Sequence, residues 1–238
     1  IGLFEVKSEI IWSKALEISR KAVDCGAVIP LETKKYQSND AYCDYELRFL
    51  KSPIPKYLIE YGPKRNPFIP WDTRLQIQPI NYKHTLILNK YPVQIGHMLL
   101  ITTCWKPQNG WLNEDDFEAI LNVDNDTTGL WFFNSSKEAG ASQPHRHFQL
   151  LPRHYNESIC PRYEWFCSLL NNTMDSNSEI SHCISIRQRS KNKKSSEYDL
   201  FSLYKSMIDE MNLGDIDITK KLKNPSVDNI KFFKLQKE

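Results

Sequence analysis

His145-Arg146-His147-Phe148-Gln149 sets two imidazoles and an amide at alternate positions. In an extended strand successive side chains point to opposite faces, so His145, His147 and Gln149 share one surface while Arg146, Phe148 and Leu150 line the other. An imidazole presented this way can attack phosphorus and hold the group as a phosphoramidate, which divides one difficult displacement into two easier ones. His147, flanked on that face by the other two, is the better held. A partner on one of its ring nitrogens would fix the tautomer and aim the other. Gln149 donates and accepts hydrogen bonds but cannot exchange a proton near neutral pH, so it orients and does not titrate. Activation of water gains about 10²–10⁴ in rate from a general base. Phosphate is already anionic, so an amide here favours phosphate over water as acceptor. Just upstream, the Gly140-Ala141-Ser142-Gln143 loop can aim backbone N–H groups and a hydroxyl at the same surface, as short turns do when they cradle phosphate oxygens.

Two histidines at i and i+2 also occur as half-exposed strand residues, or as part of a zinc set. The remaining zinc ligands would have to come from His84, His97, His154, His182 or distant cysteines, none at a recognised spacing. The loop, the strand context and Gln149 together favour the nucleophilic reading, with no metal held by protein ligands. Asn89-Lys90 closes a strand and offers a phosphate contact. Lys51 and Lys64-Arg65 border a proline-rich segment, His97 after Gly96 reads as packing at a strand start, and the charged run from Arg187 to Lys194 reads as a solvated loop.

Four strands are expected to carry these residues: His84 to Asn89, His97 to Thr103, Gly129 to Asn134, and His145 to Leu151 between Pro144 and Pro152. The short link between the first two predicts antiparallel pairing. Helices are expected over Ser8 to Cys25, Glu114 to Asn122 with Asn113 as cap, Pro161 to Leu170, and Leu200 to Leu213. Six of the thirteen prolines lie between Pro53 and Pro79, which excludes a long helix or a central strand there. The polar stretch 171–196 is expected to be mobile.

Composition narrows the partners. Lys and Arg number 31 against 29 Asp and Glu, a net charge of +2 that gives no broad field for a long nucleic acid but permits a local anion site. No run of about 18 apolar residues and no basic-then-apolar opening segment is present, so neither a membrane span nor a signal peptide is expected. Six cysteines without a C-x-x-C pair suit a reducing cytosol.

Ala141-Ser-Gln-Pro-His145-Arg-His147-Phe-Gln149 is similar to the H-x-H-x-Q signature of the diadenosine tetraphosphate phosphorylases, or ATP adenylyltransferases, of the histidine-triad (HIT) superfamily. Arg65-Asn-Pro-Phe-Ile-Pro-Trp, Leu88-Asn89-Lys90-Tyr91, Gly96-His97-Met-Leu-Leu-Ile-Thr and Phe133-Asn134 fall in that family's order, and Phe201 through Leu213 resembles the helix that follows. The resemblance implies an α+β fold, a HIT-like antiparallel sheet flanked by helices, in one domain over 1–238. It implies a ping-pong reaction: His147 attacks the α-phosphorus and releases ATP, then phosphate takes AMP to give ADP. His145 and Gln149 would complete the catalytic set, with Gln149 on the α-phosphate. Gly140, Ala141, Ser142 and Gln143 would form the phosphate loop, Asn134 would hold ribose or phosphate, and Asn89, Lys90 and Lys51 would add phosphate contacts. Mg²⁺ would arrive with the nucleotide.

The implied partners are a dinucleoside polyphosphate, ATP, ADP and phosphate, with no nucleic acid and no membrane, in a cytoplasmic monomer or homodimer. After Leu213 the family's Tyr-Asn-Leu-Leu-like and Trp-Met-containing strands are not seen, which implies either that the sequence is incomplete or that the base pocket differs from that of relatives. Two enzyme rivals are a HIT-type hydrolase and a nucleoside-diphosphate-sugar transferase, although Arg146 replaces the latter's central Pro. A non-catalytic nucleotide-binding protein is the third.

Overall fold

A computed structural model describes residues 7–40, 43–53, 65–154, 157, 160, 163–171, 184–189 and 196–214. Ile11, Ala15, Ser19 and Ala22 recur at helical spacing and form the buried stripe of α1 (Ile10–Asp24). The Asp126 carboxylate accepts from the N–H groups of Ile10 (3.2 Å) and Ile11 (2.8 Å), so a distant loop supplies the acceptor that a local cap ordinarily provides.

The chain then forms a hairpin, β1 (Thr33–Asp40) and β2 (Cys43–Leu50), which pair antiparallel as a separate two-stranded sheet. No expectation covered this hairpin. The alternation of Tyr45, Leu47 and Phe49 was the available signal.

The main sheet is five-stranded and antiparallel throughout, in the order β3-β4-β5-β7-β6. Its strands are β3 (Gln76–Pro79), β4 (His84–Leu88), β5 (Met98–Thr102), β6 (Gly129–Phe132) and β7 (His147–Pro152). Residues 54–64 of the proline-rich segment lie outside the described set; in its described part β3 ends on Pro79 and lies at an edge, where a missing N–H costs no ladder bond. The paired β4 and β5 are buried at every position and form the centre of the core.

α2 (Glu114–Asp124) starts as expected at Asn113, whose side chain accepts from Asp116 N–H while the Asp116 carboxylate accepts from Asn113 N–H. α3 (Tyr163–Leu170) follows, and α4 (Glu197–Glu210) carries the same reciprocal cap between Ser196 and Asp199. α2 and α4 pack together, bringing Phe117, Leu200 and Tyr204 around Phe148 and Trp131 of the sheet. A cavity of about 50 Å³ lies in this apolar seam, on the face that His147 does not use. The α+β architecture is therefore the expected one. Of the polar stretch 171–196, residues 172–183 and 190–195 lie outside the described set. Residues 184–189 are tied to the body, with Arg189 on Asp124 at 3.2 Å and Arg187 on Glu210. Among the described residues no helix is long and apolar enough to cross a membrane.

Candidate active site

β7 begins at His147 and not at His145, a correction to the expected strand. β5 ends at Thr102, and beyond it the chain swings over, so His145 meets Pro107 in an isolated bridge and the Arg146 N–H donates to Lys106 O at 2.9 Å. The shared side nevertheless holds, because the Phe68 ring lies 5.5 Å from His145 and 5.4 Å from His147.

The two imidazoles are held differently. The His147 Nδ1 lies 2.8 Å from His145 O; a carbonyl only accepts, so Nδ1 carries the proton and Nε2 the lone pair. In His145 both nitrogens are engaged. Nε2–H donates to Thr102 O (2.9 Å) and Thr102 Oγ1 (2.8 Å), while Nδ1 accepts from Asn66 Nδ2 at 2.9 Å. Asn66 is fixed in turn, since its Oδ1 accepts from Phe68 N–H at 2.9 Å. His145 therefore orients His147 through its carbonyl, and its own ring has no nitrogen left for phosphorus.

Arg146 points to the other face, as the alternation required. Its guanidinium donates to Asp116 Oδ2 (2.8 Å), Pro107 O and Trp111 O, and His84 Nε2 lies 3.1 Å from Asp116 Oδ1. All three side chains are buried. Burial acts to raise the Asp116 carboxyl, but the His84 bond and the Arg146 charge outweigh it and hold it below its ordinary range.

Two positioning residues escaped the sequence reading. Gln108 takes the His147 N–H on Oε1 (2.8 Å) and donates Nε2 to Asn134 O (2.7 Å) and His147 O (3.2 Å). Phe132 pairs with Gln149, so the register would next set Asn134 opposite His147. The Gln108 amide stands there instead and bridges the two backbones beyond the last ladder pair. Nothing in a lone Gln within a Pro-Gln-Asn-Gly turn announces this.

His97 is the second. Gly96 delivers it at φ +77, close enough to α1 that a Cβ would meet Trp12 Nε1 at 3.0 Å. Its Nδ1 lies 3.2 Å from Asn89 Nδ2, its Nε2 lacks a hydrogen-bond partner among the described residues, and Gln149 is its polar neighbour. Asn89 thus braces His97, with its own Oδ1 accepting from Tyr91 N–H. The spacing Gly-His at the start of a strand was visible, but read as packing.

The remaining expected residues divide. Asn134 is held by the Gln108 amide on its backbone O, and its buried Oδ1 has no hydrogen-bond partner among the described residues. In the loop, Ala141 N–H closes on Ser136 O (2.8 Å) and Gly140 N–H on Lys137 O (3.0 Å), with Gly140 at φ +91. These two shape the turn, and Ser142 and Gln143 carry the N–H groups beyond it. Lys90 is exposed beside the Tyr91 ring. Lys51 stands exposed after β2 in the separate hairpin, with its N–H on Glu32 O, and no contact found among the described residues ties it to His147. Among the described residues no group of three or more His, Cys, Asp or Glu is placed to hold a metal.

Burial pushes His147 down to about 4, against the opposing carbonyl bond, and His97 down to about 4 as well; His145 is also lowered by burial. Unfolded imidazoles titrate near pH 6.5, so between about 6.5 and 4 the unfolded chain binds more protons than the folded one. Stability is full above that window and falls as pH drops through it, by about 2 kcal/mol per histidine at pH 5. Urea midpoints should fall between pH 7 and pH 5, and by roughly half as much in His97→Asn. Equal midpoints at both pH values would contradict the assignment.

The comparisons agree with this fold. The chain is 35% identical over 80 residues to diadenosine 5',5'''-P1,P4-tetraphosphate phosphorylase 2 of Saccharomyces cerevisiae, covering 29% of this chain and 25% of that protein. It is 24% identical over 135 residues to Protein APA1 of the same yeast, covering 52% and 42%. The crystal structure of yeast Ap4A phosphorylase Apa2 with AMP superposes with a TM-score of 0.54 at 24% identity, covering 68% of this chain and 56% of that one. The complex with Ap4A gives 0.53 at 23%, covering 68% and 57%. The chain thus spans less than half the length of these curated relatives and somewhat over half of the solved ones. The match to the Ap4A phosphorylase N-terminal domain runs over residues 3–161, most of the chain and all of β7, and the chain belongs to that family.

Proposed function

We propose that the chain transfers an adenylyl group from diadenosine tetraphosphate to phosphate, giving ATP and ADP, with His147 as covalent nucleophile. The observation that carries this is the His147 tautomer: Nδ1–H is fixed on the His145 carbonyl, and the neutral ring keeps its lone pair on Nε2 at physiological pH. Nε2 attacks the α-phosphorus as the bond to the bridging oxygen breaks, and ATP leaves with the electron pair. The ring becomes cationic, and its Nδ1–H bond to the carbonyl strengthens. A phosphate oxygen then attacks the same phosphorus, the N–P bond breaks, and ADP departs with a neutral imidazole restored.

The surroundings support a nucleotide. The unpartnered Asn134 Oδ1 is an acceptor, which selects a donor such as a ribose hydroxyl. Ser142 and Gln143 supply donors for α-phosphate oxygens, and Gln149 orients them. Asn89 acts through His97, while Lys90 and Lys51 offer cations to the outer phosphates. Mg²⁺ enters with the polyphosphate and neutralises it. That a yeast relative holds AMP and Ap4A supports the same ligand class here. A cytoplasmic location is supported by the six cysteines being scattered without a C-x-x-C pair.

The choice of acceptor is testable directly. Since no titrating base flanks His147 on its strand, diadenosine tetraphosphate should be consumed with phosphate dependence and yield ADP with ATP. Equal consumption without phosphate, yielding AMP with ATP, would make the chain a hydrolase.

A further inference from the structure

His145 cannot use its ring nitrogens on a ligand, yet its ring carries a large aromatic neighbour out to solvent. Trp105 lies edge-to-face on His145, with centroids 5.4 Å apart at 84°, and is 54% exposed. Phe68 meets the same imidazole at 86° but is buried, so it is wall, whereas Trp105 keeps ring surface uncovered.

A second exposed ring stands near it. Thr103, two residues before Trp105, donates its N–H to Lys83 O (2.8 Å) and its hydroxyl to Tyr82 O (3.1 Å). Tyr82 is 82% exposed, with Lys83 Nζ 5.1 Å from its centroid. Two uncovered aromatics and a lysine, itself paired with Asp115 at 2.6 Å, are thus anchored where β4 begins and β5 ends. Asn134 and the 136–143 loop follow β6. His147 is therefore flanked on opposite sides of β7, by hydrogen-bonding groups on one side and by an aromatic surface on the other.

A dinucleoside polyphosphate has two bases joined by a flexible chain. The ribose of the transferred half suits the Asn134 side. We propose that Trp105 is the stacking platform for the base of the departing nucleotide, with Tyr82 and Lys83 extending it. This rests on the adenylyl-transfer reading and adds a substrate preference to it: a second base is bound by stacking, which tolerates any purine because every base presents a π-face.

The two half-reactions separate this platform from the chemistry. Formation of ADP from adenylylated His147 and phosphate is reversible, so exchange of labelled phosphate into ADP reports on the nucleophile with no second base present. Trp105→Ala and Trp105→Phe are compared with the wild type for that exchange and for phosphorolysis of diadenosine tetraphosphate. Loss of one stacked base should lower kcat/KM for the dinucleotide about 5- to 150-fold relative to exchange in Trp105→Ala, with most of it retained in Trp105→Phe. An unchanged ratio, whether both activities fall together or neither falls, overturns the platform. If the wild type performs neither reaction, the reading of His147 has failed, and the platform is judged by equilibrium binding alone. Weaker binding of diadenosine tetraphosphate relative to AMP in Trp105→Ala then supports it, and an unchanged ratio of affinities overturns it.

Discussion

His147→Ala should lower the turnover of diadenosine tetraphosphate by about 10⁴-fold or more, the scale on which enzymes respond to loss of a covalent nucleophile. The size follows from the lack of a substitute. His145 sits on the same side, but its Nε2–H is bound to Thr102 and its Nδ1 to Asn66, so neither nitrogen reaches phosphorus without breaking the wall of the site. Gln149 does not titrate and cannot recruit water as a base would. KM should change little, because the proposed reading assigns the ribose and phosphate contacts to Asn134 and the loop and not to His147. Steady-state kinetics with phosphate in excess, on protein whose circular dichroism matches the wild type, checks this. Retention of more than about a tenth of the wild-type rate would remove His147 from the nucleophile's role.

Asp116→Ala should destabilise the fold by about 3–5 kcal/mol, the cost of leaving a buried partner charge uncompensated. Arg146 is 5% exposed, and the Asp116 carboxylate is the acidic group it reaches, at 2.8 Å. The same carboxylate meets buried His84 and receives the Asn113 N–H that starts α2, so one substitution removes an ion pair, an imidazole partner and half of a helix cap. Asp116→Asn keeps the shape and one acceptor, and should cost less. Urea denaturation of the three proteins orders them; a loss below about 1 kcal/mol in Asp116→Ala would mean the network is solvated.

This network also explains why the residue between the two histidines is an arginine. Anchored on α2 and on the carbonyls of Pro107 and Trp111, Arg146 fixes the peptide whose carbonyl holds His147 Nδ1 and whose N–H donates to Lys106 O. Alternation along one strand showed that Arg146 faces away from the chemistry, because a period of two is a local property. It could not show what Arg146 meets, since Asp116 lies 30 residues earlier in the chain.

The same distinction accounts for the rest. The helix expected over Glu114 to Asn122, which runs on to Asp124, is legible from its cap, and β4 and β5 from their apolar runs between polar and glycine residues. The start of β7 was misplaced because the bend after Thr102 is set by its pairing partner and not by its own residues. Gln108 was invisible for a related reason: its amide matters only because it bridges the backbones beyond the last ladder pair of β6 and β7. His97 was seen and undervalued. A histidine behind a glycine at a strand start looks like packing until Asn89 and Gln149 are found around it. The β1–β2 hairpin was missed because its first strand is nearly all polar and hides the alternation in the second.

The most direct test is intact-mass and peptide mass spectrometry of the protein incubated with diadenosine tetraphosphate in the absence of phosphate, wild type beside His147→Ala. One AMP adduct located on His147, absent from the variant and discharged as ADP when phosphate is added, is the predicted result. An unmodified His147 in protein that consumes the dinucleotide, or an adduct on another residue, would contradict covalent transfer through this imidazole.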